Sequence, residues 1–477
     1  MVYEDLREYI SALKDAGELL IVETEVDWNL EVGAISRKAL DLRREAPFFK
    51  KLKGYSDDYR ILANPLGPSS PNLHKRFALA LGLSPELTAP QLIGEFDRMS
   101  HKRISPVLVK NAPCKEKITT GKNINVLEFP VPKLHEGDGG RYVGTWHVDV
   151  TKDPDSGFVN WGMYRHMVCG ERTLGWLATP AQHGTGHYRK YVAQGNKMPM
   201  AIAIGTEPVC AIVASTQVPT GVSEADVAGG IRGVPVETIQ CETVDLEVPA
   251  SAEIIIEGYV DPEERVCEGP FGEFTGYMGH EKQSPVFHVT ALTHREKPIL
   301  TVSNMGKPWD DYAVLSSITM SCFISRELRE RQIPFQALYV PAPILAVIVS
   351  VKTPYAGFIH TLASAIWSSK GAVYRPYIIV VGEDVDVFNM EDVFWCLTTR
   401  LHPKRGIHVV ERTTALPLLP YLSPEEREIG ITPRVVFDAT FPAEWPKEAI
   451  PGIVDYERAW PSTIKEQVET RWEEYGF

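Results

Sequence analysis

A chain of 477 residues with 44% hydrophobic and 23% charged side chains has ample material for buried cores and for roughly two to four domains. Its formal charge of −13 excludes a nucleic-acid footprint, which needs a basic face, and disfavours an anionic membrane surface. No apolar run approaches the ~20 residues of a membrane span, the start lacks a basic, apolar leader, and the seven cysteines form no C-x-x-C clip, so a reduced, cytoplasmic protein is expected.

Residues 5–16 read as a helix, with Leu6, Tyr9, Ile10 and Leu13 on one face and Gly17 as its stop. Residues 1–110 form an N-terminal α/β region on this reading. From 111 to 308 short β-rich runs are separated by Gly, Pro and Asp clusters. The runs 158–168, 199–204, 210–214, 252–260 and 286–293 predict a barrel or curled sheet. A helix over 311–331 connects this to a C-terminal α/β region, 332–477, with 309–331 as the connecting segment. There, strands at 337–340, 345–351 and 377–381 alternate with helices at 358–368 and 390–400. A last amphipathic helix begins at Ser462; its stripe of Ile464, Val468, Trp472 and Tyr475 docks either on its own domain or on a second subunit. The fold class is thus a multidomain α+β or α/β chain.

Common signatures are absent. There is no G-x-G-x-x-G after a strand, Thr120-Gly121-Lys122 lacks the earlier glycine of a phosphate-binding loop, His135-Glu136 has no second histidine in place, and no G-x-S-x-G occurs. Five polar segments remain. In C-E-G-P-F-G-E (267–273), Glu268 and Glu273 flank Gly-Pro-Phe-Gly. A turn there can aim both carboxylates at one point, and two close carboxylates hold one proton between them, as a general acid requires. The alternative is a solvated acidic turn. In N-W-G-M-Y-R (160–165), Arg165 needs an acidic partner if buried. Strict alternation sends Asn160 and Arg165 to opposite faces, so a shared site requires a bend, with a bulge expected at Gly162. Otherwise the strand is an edge and the arginine is in solvent. In P-A-Q-H-G-T-G-H (180–187), either histidine could bind metal or phosphate, or be solvated. The hydroxyls of A-S-T (214–216) and the glutamate of G-V-S-E (221–224) suit a hard cation, Mn²⁺ or Mg²⁺; the plain alternative is a helix cap at Ser223. Lys370 in S-S-K-G (368–371) suits a phosphate, or is a surface turn.

Together and in this order these segments resemble the UbiD family of decarboxylases along nearly the whole chain, most firmly over about 146–276 and 370–420. The resemblance implies a split-barrel-like flavin-binding domain and a prenylated FMN cofactor supplied by a flavin prenyltransferase. It implies that Asn160, His183 and Glu224 hold Mn²⁺ or Mg²⁺ at the cofactor phosphate, choosing His183 over His187. It also implies that Trp161, Thr216 and Glu224 form a K⁺ site, largely through backbone oxygens. Met163, Arg165, Gln182 and Lys370 match cofactor-binding positions. Arg165, Glu268 and Glu273 match the catalytic network, with Glu273 as proton donor and its pKa raised. By position Phe274, Trp309, Tyr374, Leu416 and Leu418 line the substrate pocket. No histidine occupies 307–311, where some hydroxybenzoate-type relatives carry a polar anchor. The expected activity is reversible, non-oxidative decarboxylation of a small aromatic, heteroaromatic or α,β-unsaturated acid by a homodimer or dimer-based hexamer. The alternatives are a conventional FMN oxidoreductase and a non-catalytic subunit of a multi-component carboxylase.

Overall fold

Asp5 caps the first helix, Leu6–Asp15, by accepting from the N–H groups of Arg7 and Glu8, and the helix buries Leu6, Tyr9 and Leu13. The computed structural model describes residues 3–477 other than 178, 180, 181, 220 and 343. Near this helix lies a four-stranded sheet in the order Leu19–Val22, Ala46–Phe49, Arg60–Ala63, Ile299–Val302. Its last strand arrives from far along the sequence and pairs in parallel with Arg60–Ala63.

The centre is a nine-stranded antiparallel sheet. Its path runs Tyr142–Gly144, Arg165–Gly170, Thr173–Leu177, Lys282–His294, Ile254–Glu268, Met198–Ile204, His147–Lys152, Val159–Gly162, with Lys117–Thr120 also paired to Lys282–His294. Each end strand of that path is followed in sequence by a strand from the opposite end of it. Only Met163 and Tyr164 join Gly162 to Arg165, and only Thr145 and Trp146 join Gly144 to His147. The two ends are therefore held together, and the sheet curls into a split barrel. Alternation sorts its side chains: Met198, Met200, Ile202 and Ile204 face one core, Ala201 and Ala203 the other. The alanines leave room for the helix Pro208–Ala214.

That helix corrects the expected strand at 210–214. Glu207 accepts from the N–H groups of Val209 and Cys210, and Pro208 suits a first helical turn. A short run buried on every side has no periodicity to reveal its type. The expected strand over 158–168 is likewise two strands, for reasons given below.

The long helix Asp311–Glu330 is capped by Asp310 and buried around most of its surface, packing against the helix Ala89–Ser100. The C-terminal sheet runs Ala337–Tyr339, Ala346–Val351, Tyr377–Gly382, Ile431–Asp438, Ile407–Thr414. Its three inner strands are parallel, and the helices Phe358–Trp367 and Met390–Arg400 alternate with them. The edge strand Ile407–Thr414 is exposed along most of its length. None of residues 440–477 is buried. The stripe begun by the helix Ser462–Thr470 is left partly open, with Ile464 and, beyond the helix, Trp472 and Tyr475 44%, 48% and 45% exposed. Among the described residues no helix is long and apolar enough to cross a membrane.

Candidate active site

The barrel seam forms around Tyr164. Its N–H donates to Asp149 Oδ2 at 2.9 Å, which takes it out of the sheet ladder and ends one strand before the next begins. Its ring is buried where two glycines make room: a Cβ on Gly162 or Gly184 would stand 2.4 or 2.8 Å from Tyr164 side-chain atoms. The phenol oxygen accepts from Gly184 N–H (3.1 Å) and from Asn160 Nδ2 (3.2 Å), and Asn160 Oδ1 lies 3.1 Å from His183 Nδ1. The expected bulge at Gly162 is thus a break between two strands. Across it Asn160 and Arg165 line one cavity.

Asp149 itself is fully buried between two histidines, with His147 Nε2 at 3.0 Å and His166 Nε2 at 2.8 Å. Burial raises its pKa, but His166 and His147 outweigh burial and hold it at about 2. A charged Asp149 thus ties both strands to the residue before Arg165.

Arg165 makes two parallel bonds to Glu268, Nε to Oε1 at 2.8 Å and Nη2 to Oε2 at 2.7 Å, while Nη1 donates to Glu273 Oε1. The turn between the glutamates is built by close approach. Gly269 has φ +94°, and a Cβ on Gly139 would stand 1.9 Å from the Gly269 carbonyl. Phe271 is buried against the Tyr142 ring at 4.2 Å, and Tyr142 donates its hydroxyl to Glu268 Oε1 at 2.9 Å. Asp138 accepts from Gly272 N–H. Glu273 is 6% exposed. Burial, reinforced by Glu268, pushes its carboxyl up to about 6 against the opposing pull of Arg165. Burial is the larger cause, not the second carboxylate, because Arg165 neutralises much of what Glu268 would add.

In another part of the cavity, Asn160, His183 and Glu224 converge. Glu224 is 2% exposed, with His183 Nδ1 3.6 Å from its Oε1 and Trp161 N–H 3.2 Å from its Oε2. Among the described residues no lysine or arginine forms an ion pair with it, although Lys370 is near enough to feel its charge, and a carboxylate so buried suits a bound cation. Carboxylate, amide oxygen and imidazole suit Mn²⁺ or Mg²⁺. Ser223 also caps the helix Glu224–Arg232, so both readings of that segment hold. Thr216 donates its hydroxyl proton to Ile212 O, leaving its oxygen as an acceptor. Lys370 Nζ lies 3.1 Å from His183 Nε2 and donates to Val218 O at 2.7 Å; burial pushes it down to about 8. His187 is elsewhere, against Thr151 Oγ1. Met163 and Gln182 line the same cavity, and Gln182 Oε1 accepts from Thr179 N–H at 2.6 Å. Pro180 and Ala181 lie outside the described residues.

Of the expected substrate wall, Phe274, Tyr374, Leu416 and Leu418 line the cavity. Trp309 does not. It packs edge-on against His74 at 6.0 Å, and its carbonyl accepts from Arg37. The cavity wall is taken by Tyr312, in the first turn of the long helix, whose ring lies 4.9 Å from Phe274. Sequence reasoning also missed Tyr142, Asp138, Asp149 and Tyr164. The one available signal was the run Asp138-Gly139-Gly140, which allows a close backbone approach.

A split barrel with a buried Glu–Arg–Glu network and an Asn–His–Glu corner in one cavity has the form of an enzyme active site. The chain belongs to the UbiD carboxy-lyase family. It matches the 3-octaprenyl-4-hydroxybenzoate carboxy-lyase N-terminal domain over residues 10–95, the Rift-related domain over 106–308 and the C-terminal domain over 313–439. It is 32% identical to pyrrole-2-carboxylic acid decarboxylase of Pseudomonas aeruginosa, across 99% of this chain and 98% of that one. It superposes on the closed form of vanillic acid decarboxylase from Sedimentibacter hydroxybenzoicus with a TM-score of 0.91, 31% identity and complete coverage of both chains (100% each). The UbiD-class enzyme HmfF from Pelotomaculum thermopropionicum, solved in complex with FMN, gives a TM-score of 0.80 at 28% identity over 95% of this chain and 97% of that one.

Proposed function

We propose that this chain catalyses reversible, non-oxidative decarboxylation of an aromatic, heteroaromatic or α,β-unsaturated acid with prenylated FMN. The carrying observation is one cavity that holds both the Glu268–Arg165–Glu273 network and the Asn160–His183–Glu224 corner. Loss of CO₂ leaves an electron pair that no amino-acid side chain can accept, and prenylated FMN supplies that sink when bound. Asn160, His183 and Glu224 would hold Mn²⁺ or Mg²⁺ for its phosphate, with Lys370 beside them. Trp161, Thr216 and Glu224 would hold K⁺, and Met163 and Gln182 would contact the flavin.

The chain's own work is placement and one proton. Arg165 orients the reacting carboxylate, and Glu268 and Tyr142 fix Arg165 in place. Phe274, Tyr374, Leu416 and Leu418 keep water from the departing CO₂ and from the carbon it leaves. Glu273, protonated, returns a proton to that carbon. In the reverse direction, at high CO₂, Glu273 removes it. The segments 1–110, 111–308, 309–331 and 332–477 divide this work into an N-terminal region, the cofactor barrel, a connector and a C-terminal region. The last of these would carry a homodimer or dimer-based hexamer contact through its exposed edge strand and tail.

The test is expression with and without a flavin prenyltransferase, followed by absorption spectra and CO₂ release from a panel of carboxylic acids. Modified-flavin absorption together with CO₂ release is expected only after co-expression. Ordinary FMN absorption with NAD(P)H oxidation and no CO₂ would overturn the reading.

A further inference from the structure

A second guanidinium shares the cavity with Arg165. Arg375 lines it and is only 6% exposed, yet among the described residues no carboxylate pairs with it. Its side chain donates to Met320 Sδ at 2.9 Å, and a thioether is a weak acceptor. Its backbone is fixed: its N–H donates to Ala372 O, and Trp367 Nε1 donates to its carbonyl. Burying an arginine without a counter-charge is expensive, and such a group is retained where an anion is to arrive.

Its neighbours point the same way. Tyr312 lines the cavity near it, with its ring on Phe274, the residue after Glu273. Gln217 also lines the cavity, and its Oε1 is buried with no hydrogen-bond partner. Arg165 already serves the reacting carboxylate, and the Lys370 corner serves a phosphate. We propose that Arg375, with Tyr312 and Gln217, forms a second anion-binding subsite, and that the acid decarboxylated here carries a distal oxygen beyond its reacting carboxylate, as a phenolate or a second carboxylate. The subsite rests on the decarboxylase reading above.

The test uses the holoenzyme, made with the prenyltransferase, on matched acids: 4-hydroxybenzoate and terephthalate against benzoate, and 4-hydroxycinnamate against cinnamate. The readouts are kcat/KM for CO₂ release and the flavin bound per chain. A site built to bind an oxygen discriminates strongly against its absence, so at least one oxygen-bearing acid is expected to exceed its plain partner by ~100-fold or more. Arg375→Met is expected to cut that ratio tenfold or more with flavin content retained, and Arg375→Lys to restore part of it. Equal turnover of both members of each pair, or preference for the plain acid, overturns the subsite. So does an Arg375→Met protein that loses flavin while keeping the ratio, which would assign the arginine to the cofactor phosphate. Should Arg375→Met not fold, the wild-type ratio and Arg375→Lys decide the matter. CO₂ release from no acid at all overturns the decarboxylase reading instead.

Discussion

Burial raises the Glu273 carboxyl to about 6 while Arg165 opposes the rise, so its acid form gains as pH falls through that value. As proton donor, Glu273 must be in its acid form. The proton-return rate is therefore expected to fall about tenfold per unit well above pH 6 and to level off below it. Single-turnover rates across pH check this, and a rate rising above pH 7 would remove Glu273 from the role. The same shift has a stability consequence. The folded state binds more protons than the unfolded between the ordinary value of 4.5 and about 6, so stability falls as pH rises through that window. The deficit above it is about 2 kcal/mol, at 1.36 kcal/mol per unit. Glu273→Gln is accordingly expected to abolish product release, keep the flavin, and raise the thermal midpoint at pH 7 more than at pH 4. A lowered midpoint at pH 7 would mean that the ion pair with Arg165 outweighs the burial. Glu268, Glu273 and Arg165 were legible because glycines and an isolated strand arginine mark unusual backbone and unusual burial. Tyr142 was not: an aromatic in a strand reads as core, and the glutamate it serves is 126 positions away.

At the scale of elements, the break between the strands Val159–Gly162 and Arg165–Gly170 couples two sites through one phenol. Tyr164→Phe leaves the ring in its slot but removes the oxygen that orients the Asn160 amide and holds Gly184 N–H. Loss of such an outer-sphere partner typically costs ~10–100-fold in metal affinity, and that weakening of Mn²⁺ is expected here by titration, with the Arg165 network undisturbed. Unchanged Mn²⁺ affinity would make Tyr164 a packing residue only. Gly162→Ala has no such restraint, since its Cβ would meet the phenol at 2.4 Å, and loss of both flavin and stability is expected. The break was hidden in the sequence because Met163 and Tyr164 continue the apolar run without interruption. What ends the strand is a hydrogen bond to Asp149, from the neighbouring strand. The substitution of Tyr312 for Trp309 on the cavity wall has the same origin. Both flank the Asp310 cap, and only tertiary packing decides which ring turns inward.

Across the whole molecule most of the exposed large hydrophobic side chains fall in the last part of the chain, from Met390 onward. The edge strand Ile407–Thr414 exposes Val409, and the tail exposes Trp445, Trp460, Trp472 and Phe477. Removing residues 440–477 is expected to leave the fold and flavin absorption unchanged while reducing the assembly in solution, as read by light scattering. A truncated chain of unchanged assembly size would place the contact elsewhere. The mixed α and β character of the chain was legible because the hydrophobic period changes along it, but the membership of Ile299–Val302 in the N-terminal sheet was not, since its partner Arg60–Ala63 is far away in sequence. The closure of the barrel was not, because it depends on which strand ends meet.

The N-terminal sheet holds a different consequence, one of timing. Its fourth strand, Ile299–Val302, pairs with Arg60–Ala63, so the sheet is completed by residues lying beyond the entire barrel. A ribosome making this chain releases the first three strands long before their last neighbour exists, and long-range pairing of this kind is slow. The first region therefore waits, with an open edge, until the barrel strands have passed, and a fragment of residues 1–110 made alone would keep that edge for good.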